Sequence, residues 1–469
     1  MLDDDACWRA LRARDARFDG RFFVGVSTTG IYCRPICPAR LPRRDRCSFH
    51  ASAAAAEKAG FRACFRCRPE LAPGHANVDA VPRLVARALA KIAEGFLDEA
   101  GVDELGEALG VTSRHLRRAL ETELGVSPIE LAQTRRLALA KQLLHDSTLS
   151  LTAIAFASGF ASVRRFNAAM LARFGRPPSA IRRARGSGSP AIVLRLDHRP
   201  PLDFAALLEF LSARAIPGVE RVEGDRYVRT IREPEHEGEV RVWIDRGRAS
   251  LRAELDASLA PAIPRVVAGL RRLFDLDAEP RAIAVALRRD PLLAPLLRRR
   301  PGLRVPGSYA PFETALRAVL GQQVSVAAAT TLAGRLVAHF GGVPSPAVLA
   351  ATPIATLAGL GMPGARASAL AALAEAWRSG AIVCEPGSDA DELSAALIEV
   401  PGIGPWTAAY LCMRALHFPD ALPAGDLALR KALGGISARE VSRRAEAWRP
   451  WRAYAAIHLW TALARAELP

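Results

Sequence analysis

The chain has 469 residues, of which 50% are apolar and 24% are charged. This length exceeds that of one ordinary hydrophobic core, and the composition excludes a disordered or collagen-like chain. No apolar run is long enough to span a bilayer, and the first ten residues, MLDDDACWRA, lack the basic and apolar regions of a signal peptide. We therefore predict a multidomain cytoplasmic protein with no membrane partner.

Positive charge is concentrated in the first part of the chain. The net charge is +16, and residues 1–185 hold 30 Lys and Arg against 19 Asp and Glu, whereas residues 186–469 hold 34 against 29. Such an uneven surplus predicts a nucleic-acid partner for the first part. The alternative is the arginine bias of a GC-rich genome, which would also raise the alanine content.

Four of the eight cysteines form two close pairs, Cys33-x3-Cys37 and Cys64-x2-Cys67. In a reducing cytoplasm this spacing favours a four-cysteine Zn²⁺ site over two disulfides. Four thiolates outweigh the charge of one zinc ion, so neighbouring arginines, Arg34 among them, would stabilise the site and could hold a phosphate. A zinc site with a purely structural role is the alternative.

The segments FFVGV at 22–26, TTGIYCRPICPAR at 28–40 and AGFRACFRCRP at 59–69 resemble the N-terminal domain of the Ada methylation-response protein. The resemblance implies a domain over residues 1–75. It also implies that Cys33 is both a zinc ligand and the acceptor of a methyl group from a DNA phosphotriester. Cys37, Cys64 and Cys67 would be the remaining ligands, and Arg34 would bind DNA. The transfer would be stoichiometric, because a thioether cannot be turned over.

Two helix–glycine–helix patterns, at 102–118 and 151–167, are joined by a long helical pattern around 133–144. Together they resemble the DNA-binding domain of AraC-type regulators, over residues 78–185. The resemblance implies a transcription activator, with RNA polymerase as a possible partner. The residues expected to bind the major groove are Arg114, Arg117, Arg164, Arg165 and Asn167. A helical bundle with a solvated basic face is the alternative.

A linker, GSGSP at 186–190, precedes the second half of the chain. Strand patterns at 192–196, 227–231 and 240–244 and an amphipathic helix at 204–213 predict a small α+β domain over 191–295. Residues 296–469 are predicted to be nearly all helix. The fold class is thus a multidomain protein, mainly α with α+β parts.

The stretch from Glu399 to Lys431 is where we place the chemistry of the second half. Pro401, Gly402 and Gly404 form a tight hairpin between two helical patterns, and the next helix begins at residue 405 or 406 with its free N–H groups suited to a phosphate. Asp426 follows in a context of small and apolar residues. The alternative is a helical packing unit in which Asp426 is only an N-cap.

From residue 190 to the end, the chain resembles the helix-hairpin-helix base-excision glycosylases, specifically the AlkA-type 3-methyladenine glycosylase. The resemblance implies that Asp426 is catalytic, and that the hairpin carbonyls of residues 398, 400 and 403 hold a monovalent cation. The base pocket would be formed by Phe210, Trp406, Tyr410 and Trp460, and DNA would be bound by Gly402, Gly404, Gln322 and Gln323. Two positions depart from the family pattern: Gln323 replaces an apolar wedge, and Leu427 replaces an aromatic residue.

The sequence therefore predicts a DNA alkylation-damage repair and response protein that binds double-stranded DNA and associates with the nucleoid. Its expected activities are hydrolysis of the N-glycosidic bond of flipped alkylated bases and methyl transfer to Cys33 with activation of the adaptive response. Because the hairpin is followed by Pro405 and Trp406 rather than by a lysine, no lyase activity is expected. Neither Cys384 nor Cys412 lies in the Pro-Cys-His-Arg motif of O6-methylguanine transferases. The alternative is a damage-sensing activator with an inactive glycosylase half.

Overall fold

The computed structural model describes residues 3–74, 82–182, 192–233 and 235–468. They fall into two compact units, one formed by residues up to 200 together with 231–268, and the other by 201–230 together with 269 onwards. Within the described residues, no helix is both long and apolar enough to cross a membrane. The predicted linker at 186–190 lies outside the described residues.

The first unit begins with a small sheet flanked by two helices. The elements are α1 (Asp4–Ala13), β1 (Phe23–Val26), β2 (Ile31–Cys33), β3 (Cys47–His50), α2 (Ala53–Lys58) and β4 (Arg62–Ala63). The strand order is β3-β1-β2-β4, and β4 runs parallel to β2. Because β2 ends at Cys33 and β4 ends one residue before Cys64, the sheet brings the two cysteine pairs to one edge.

Eight helices follow: α3 (Arg83–Ala93), α4 (Phe96–Glu99), α5 (Val102–Ala108), α6 (Ser113–Leu124), α7 (Pro128–Asp146), α8 (Leu151–Ala157), α9 (Val163–Phe174) and α10 (Pro178–Ile181). Both predicted helix-turn-helix units are confirmed, as α5–α6 and α8–α9, with α7 between them. Gly110 and Gly159 make the two turns at φ of +72° and +84°, a region that glycine adopts without strain. Thr112 and Ser162 cap the second helix of each unit.

The next segment is mixed, as predicted. It contains β5 (Ile192–Asp197), α11 (Phe204–Ser212), β6 (Glu220–Glu223), β7 (Arg226–Glu233), β8 (His236–Asp245), β9 (Ser250–Leu255) and α12 (Ile263–Leu273). In the first unit, β5, β9 and β8 pair in that order, all antiparallel. In the second unit, β6 and the first residues of β7 form an antiparallel hairpin. The compact units therefore divide the segment that the sequence assigns to one small domain.

The rest of the second unit is helical, as predicted. Its helices are α13 (Pro280–Leu287), α14 (Leu293–Arg299), α15 (Pro311–Leu320), α16 (Val326–Phe340), α17 (Pro346–Ala351), α18 (Ile354–Gly359), α19 (Gly364–Arg378), α20 (Ala390–Ile398), α21 (Pro405–Arg414), α22 (Leu427–Ala432), α23 (Ala438–Ala445) and α24 (Arg452–Ala464). The hairpin lies between α20 and α21, and α21 begins where expected. Apolar side chains of α15, α19, α21 and α24 are buried in the core.

Candidate functional sites: a cysteine cluster and an aromatic pocket

The two cysteine pairs of the first unit meet in one cluster. The Sγ atoms of Cys33, Cys37, Cys64 and Cys67 all lie within 4.8 Å of one another. Four thiolates around one Zn²⁺ at about 2.3 Å would have sulfurs roughly 3.8 Å apart, so the cluster is compact enough to bind the ion. The structure confirms the predicted cluster of four cysteines.

Cys33 differs from the other three cysteines in two respects. It is half-buried, whereas the others are buried. The backbone N–H of Arg34 donates to Cys67 Sγ at 3.4 Å, that of Arg66 donates to Cys64 Sγ at 3.3 Å, and Cys37 has a backbone hydrogen bond with Ala39. Over residues 3–74 and the other described ranges, no backbone N–H is found donating to Cys33. Cys33 is therefore the most exposed residue of the four, and its sulfur does not share its electron density with a backbone donor in the described ranges.

Arg34, which was predicted to bind DNA, is buried instead. Only 2% of the residue is exposed, and its guanidinium pairs with Asp19 and, at 2.7 Å, with Asp197 at the end of β5. Burial alone would raise the pKa of Asp197, but the hydrogen bonds from Arg195 and the charge of Arg34 bring that pKa below its usual value. Contact between Arg34 and a DNA phosphate would require both ion pairs to break, so this placement corrects the prediction.

Helix α7 also supports the cluster. Lys141 is fully buried, and its Nζ donates to the carbonyl of Cys64 at 3.0 Å and to Glu70 at 2.8 Å. Arg68, next to Cys67, forms a two-pronged pair with Asp146. The loop that carries the second cysteine pair is thus fixed on a helix that also joins the two helix-turn-helix units.

The residues predicted to read DNA bases are on the surface. Arg114, Arg117, Arg164, Arg165 and Asn167 are all exposed. The first two lie on α6 and the others on α9, which are the second helices of the two units. Their placement agrees with major-groove binding, which stays a prediction.

In the second unit, Asp426 is the N-cap of α22, and it also accepts two further hydrogen bonds. Its Oδ1 accepts from the backbone N–H of Leu429 at 2.8 Å and from Trp460 Nε1 at 2.9 Å. Its Oδ2 accepts from Trp406 Nε1 at 3.0 Å. Asp426 is therefore an N-cap, as the alternative interpretation predicts, and its carboxylate also has two pocket tryptophans as partners. Its catalytic role stays a prediction.

Asp426 opens into a cavity of about 800 Å³. All four residues predicted to form the base pocket, Phe210, Trp406, Tyr410 and Trp460, line it and are half-buried. Trp406 and Tyr410, one helical turn apart on α21, stack at 5.2 Å between ring centres with planes 13° apart. Such a cavity offers flat apolar faces beside one fixed carboxylate.

The side chain of Gln322, which follows α15, supports the hairpin. Its Nε2 donates to the carbonyl of Gly402 at 2.9 Å and to Thr407 Oγ1 at 3.2 Å. Gly402 has φ of +87°, and a Cβ there would lie 2.5 Å from that of Ala369. The amide nitrogen of Gln322 therefore supports the hairpin, and the predicted contact of this residue with DNA stays a prediction. Gln323 is exposed and does not line the cavity.

Charged residues of the cavity were missed at the sequence level. Arg214 and Arg414 line it, and so do Glu220 and Glu313, which pair with Arg229 and Arg317. One signal was present in the sequence: Arg214 follows Phe210 by four positions, and Arg414 follows Tyr410 by four. In a helix this spacing places the arginine and the aromatic residue on the same face. Glu313 and Arg317 are only four residues apart, but the pairs of Glu313 with Arg229 and of Glu220 with Arg317 join residues 84 and 97 positions apart and cannot be assigned from a local pattern.

The two remaining cysteines of the second unit are buried. Burial raises the pKa of Cys384 and of Cys412 to about 12, so neither forms a reactive thiolate near neutral pH. That they transfer no methyl group stays a prediction.

Four family models match successive parts of the chain. They describe the metal binding domain of Ada (residues 6–70), a helix-turn-helix domain (105–184), the AlkA N-terminal domain (193–310) and the HhH-GPD superfamily of base excision DNA repair proteins (316–451). The four predicted modules thus all match known families, in the predicted order.

Some similar proteins match nearly the whole chain, and others match a part of it. The probable bifunctional transcriptional activator/DNA repair enzyme AlkA of Mycobacterium tuberculosis is 40% identical over 489 residues, which cover 99% of this chain and 97% of that protein. DNA-3-methyladenine glycosylase 2 of Escherichia coli is 37% identical over 275 residues, covering 56% of this chain and 95% of that protein. The 3-methyladenine DNA-glycosylase structure from Archaeoglobus fulgidus has a TM-score of 0.50 at 21% identity, covers 58% of this chain and 99% of that one, and shows the fold alone. The full-length match establishes that the chain belongs to the family of the bifunctional transcriptional activator/DNA repair enzyme AlkA.

Proposed function

We propose that the second unit is a DNA-3-methyladenine glycosylase of the type named in the Escherichia coli relative, which hydrolyses the N-glycosidic bond of alkylated bases. One observation carries this proposal: Asp426 is held by three N–H donors, two of them from tryptophans that line the cavity. A carboxylate oriented in this way, beside flat aromatic faces, suits a reaction that develops positive charge on a sugar.

The proposed reaction begins with a flipped base. Extrusion from the helix costs a few kcal/mol, and it costs least for a base that pairs poorly. The base stacks on the aromatic faces of Tyr410 and Trp460, which attract a cationic alkylated purine. The C1′–N bond breaks with its electron pair leaving to the base, Asp426 stabilises the oxocarbenium-like sugar, and water adds to C1′ as its proton is released. No lysine follows the hairpin, so the DNA backbone stays intact.

The first unit is proposed to accept a methyl group at Cys33. The Sγ atom attacks the methyl carbon of a DNA methylphosphotriester, the C–O bond breaks, and an ordinary phosphodiester leaves. Cys33, Cys37, Cys64 and Cys67 would hold a Zn²⁺, and the bound ion would keep the sulfur of Cys33 a thiolate at neutral pH. The choice of Cys33 is supported by its accessibility and by the backbone hydrogen bonds on the other three sulfurs.

The remaining proposals concern partners. The helix-turn-helix module would bind operator DNA through α6 and α9 and contact RNA polymerase as an activator in the cytoplasm.

Domain limits of 1–75, 78–185, 191–295 and 296–469 are proposed for the four modules. At the hairpin, Gly402 and Gly404 would approach a DNA phosphate. A monovalent cation there would be bound by the carbonyls of residues 398, 400 and 403.

One experiment tests both activities. The zinc-loaded protein is incubated with methylated duplex DNA, and released bases and tryptic peptides are analysed by mass spectrometry. We expect free 3-methyladenine from the wild type and none from Asp426→Asn, because asparagine preserves the N-cap but removes the charge. If the wild type releases no base, the alternative of an activator with an inactive glycosylase half is correct.

The tryptic peptides from the same sample test the proposed methyl transfer to Cys33. We expect one methyl group per chain on the peptide that contains Cys33, lost in Cys33→Ala and retained in Cys47→Ala. Cys47 is a matched control because it lies in the same module outside the cluster. Methyl uptake that persists in Cys33→Ala would refute the assignment.

A further inference from the structure

One face of α21 carries three functional side chains at successive helical turns: Trp406, Tyr410 and Arg414. A spacing of four residues places them next to one another on the helix surface. Trp406 stacks on Tyr410, and its Nε1 donates to Asp426 Oδ2 at 3.0 Å. Arg414 is the last residue of both the row and the helix. The row therefore connects a guanidinium to the carboxylate that is proposed to act on the sugar.

Arg414 is a buried cation that no carboxylate neutralises. The residue is 6% exposed, and over the ranges that the structure describes no acid lies within salt-bridge distance of it. Burial lowers the pKa of Arg414, and the charges of Arg214 and Arg317 act in the same direction. Arginine nevertheless remains charged in proteins. A buried charge without an opposite charge is unfavourable for stability, which is one sign of a functional residue.

Hydrogen bonds fix the position of this guanidinium and of the tyrosine next to it. Nε of Arg414 donates to the carbonyl of Pro306, and Nη2 donates to that of Gly307 at 3.1 Å. Nη1 donates to Tyr410 Oη at 2.6 Å. The acceptor loop is itself closely packed, because a Cβ on Gly307 would lie 2.0 Å from the carbonyl oxygen of Arg272. Two backbone carbonyls thus hold the guanidinium, and the guanidinium holds the hydroxyl of Tyr410.

The same guanidinium also contacts an aromatic residue from another helix. Arg414 Cζ lies 4.6 Å from the ring centre of Phe210, on α11, and 5.5 Å from that of Tyr410. A cation within about 6 Å of a ring centre is attracted by the ring. Both rings are half-buried and line the cavity. Arg414 therefore fixes aromatic walls from two helices relative to each other.

We propose that Arg414 is a positioning residue for the glycosylase reaction, which orients Asp426 through Tyr410 and Trp406. The inference deepens the proposed function and rests on it. Because its hydroxyl end is anchored, Tyr410 stays within 13° of the plane of Trp406, and the indole N–H stays aimed at the carboxylate. Without the anchor the tyrosine ring can tilt and the indole can follow it. A displaced catalytic carboxylate lowers the rate of the chemical step more than the affinity for DNA.

Tyr410→Phe tests the connection, because it removes the hydroxyl and keeps the ring. In single-turnover reactions with methylated duplex, we expect the limiting rate of 3-methyladenine release to fall about tenfold, whereas the enzyme concentration that gives half of this rate changes less than about twofold. Arg414→Met keeps the apolar volume without the donors and should give a similar loss. Arg414→Lys should recover part of the rate, because lysine retains donors. The double variant Tyr410→Phe/Arg414→Met should be no slower than the slower single variant, since both changes break the same link.

Tyr454→Phe is the matched control. Tyr454 is a buried tyrosine of the same unit whose hydroxyl donates to Asp275 Oδ2 at 2.8 Å, and it does not line the cavity. Loss of this hydroxyl should lower Tm and leave the release rate unchanged. The comparison of the two tyrosine variants separates positioning from stability, and it does so even if Arg414→Met fails to fold.

The indole N–H signals supply a measurement that does not depend on turnover. In protein labelled with ¹⁵N-tryptophan, the Trp406 signal is assigned by its loss in Trp406→Phe. In Tyr410→Phe this signal should shift and exchange faster with water, because the hydrogen bond to Asp426 loosens. The signal of Trp448, whose Nε1 donates to Asp290 at 2.7 Å, should stay the same.

Three results would overturn the inference while the wild type releases 3-methyladenine. They are an unchanged release rate in Tyr410→Phe, an unchanged Trp406 signal in that variant, and a double variant whose loss equals the product of the two single losses. No release by the wild type would instead refute the proposed function.

Discussion

Asp197 connects the cysteine cluster to strand β5, and replacing it provides a sharp test of that connection. Its Oδ2 accepts from Arg34 Nη1 at 2.7 Å, and its two oxygens accept from Arg195 at 2.6 and 2.8 Å. Asp197→Asn keeps the shape but removes the charge and turns one acceptor into a donor that faces a guanidinium. Arg195 then loses its carboxylate, while Arg34 keeps Asp19.

The size of the expected loss of stability follows from the burial of Asp197 and Arg34. Asp197 is 6% exposed and Arg34 is 2% exposed, so solvent screens the pair little. Loss of one partner from such a buried pair lowers the free energy of unfolding by about 3 to 5 kcal/mol. The lower value applies here because Arg34 retains its pair with Asp19. For a compact unit of this size, about 3 kcal/mol corresponds to a fall in Tm of about 6 to 12 °C.

Hydrogen exchange measured by mass spectrometry, together with calorimetry, can localise the loss. We expect faster exchange in peptides covering residues 28–37 and 192–197, and no change in peptides from α21. Glu237→Gln is the matched control, because the Arg232–Glu237 pair is exposed and contributes about 0.5 kcal/mol or less.

The pH dependence of the stability difference shows whether the charge of Asp197 causes it. The pKa of Asp197 is lower in the folded protein than its ordinary value of 3.8, so its contribution is complete above about pH 4 and is lost as pH falls through the folded-state pKa. The stability difference between wild type and Asp197→Asn should be constant from pH 5 to 8 and shrink below pH 4. A difference under about 1 kcal/mol, or one that persists unchanged at pH 3, would refute the reasoning.

Three further predictions follow from the structure. Gln322→Ala removes two hydrogen bonds to the hairpin and should weaken duplex binding about tenfold by anisotropy, whereas unchanged affinity would contradict the support role of this side chain. Burial lowers the pKa of His458 to about 4, so the unfolded chain takes up the proton first as pH falls below 6.5. Stability should therefore drop by about 3 kcal/mol between pH 7 and pH 4, and denaturant titrations of His458→Gln should lack that component. Removal of one Zn²⁺ per chain by a chelator should unfold the loop at residues 33–37 and leave the tryptophan fluorescence of the pocket unchanged; retention of the loop's exchange protection would argue against a structural metal.

Local patterns predicted the elements well because each depends on nearby residues. The start of α21 at Pro405 and the glycine turns of both helix-turn-helix units depend on backbone preferences of a few adjacent positions. Asp426 as N-cap is a local feature of the same kind. The cysteine pairs were also readable, because metal ligands of one type recur at short spacings.

The roles of polar side chains were less predictable, because their partners lie far away in sequence. Arg34 follows a metal ligand and is one of many arginines around the cluster, which suggested DNA binding. Its partner Asp197 is 163 residues away, so no local sequence pattern indicates that the two residues pair. Gln322 likewise donates to a carbonyl 80 residues away. A sequence shows that such groups are polar but not which acceptor each will find.

The arginines of this chain thus fall into two groups with different physical roles. Buried arginines such as Arg34 and Arg229 are paired with carboxylates, so they hold elements together and add little to the field outside the protein. Arg114, Arg117, Arg164 and Arg165 are exposed and carry no salt bridge in the part of the chain that the structure describes. Since a DNA phosphate responds to charges that are not already neutralised, the exposed set, rather than the net charge of +16, determines the attraction. Salt dependence of duplex binding should therefore weaken on removing α6 or α9 arginines, and should stay the same in Asp197→Asn if the first unit remains folded.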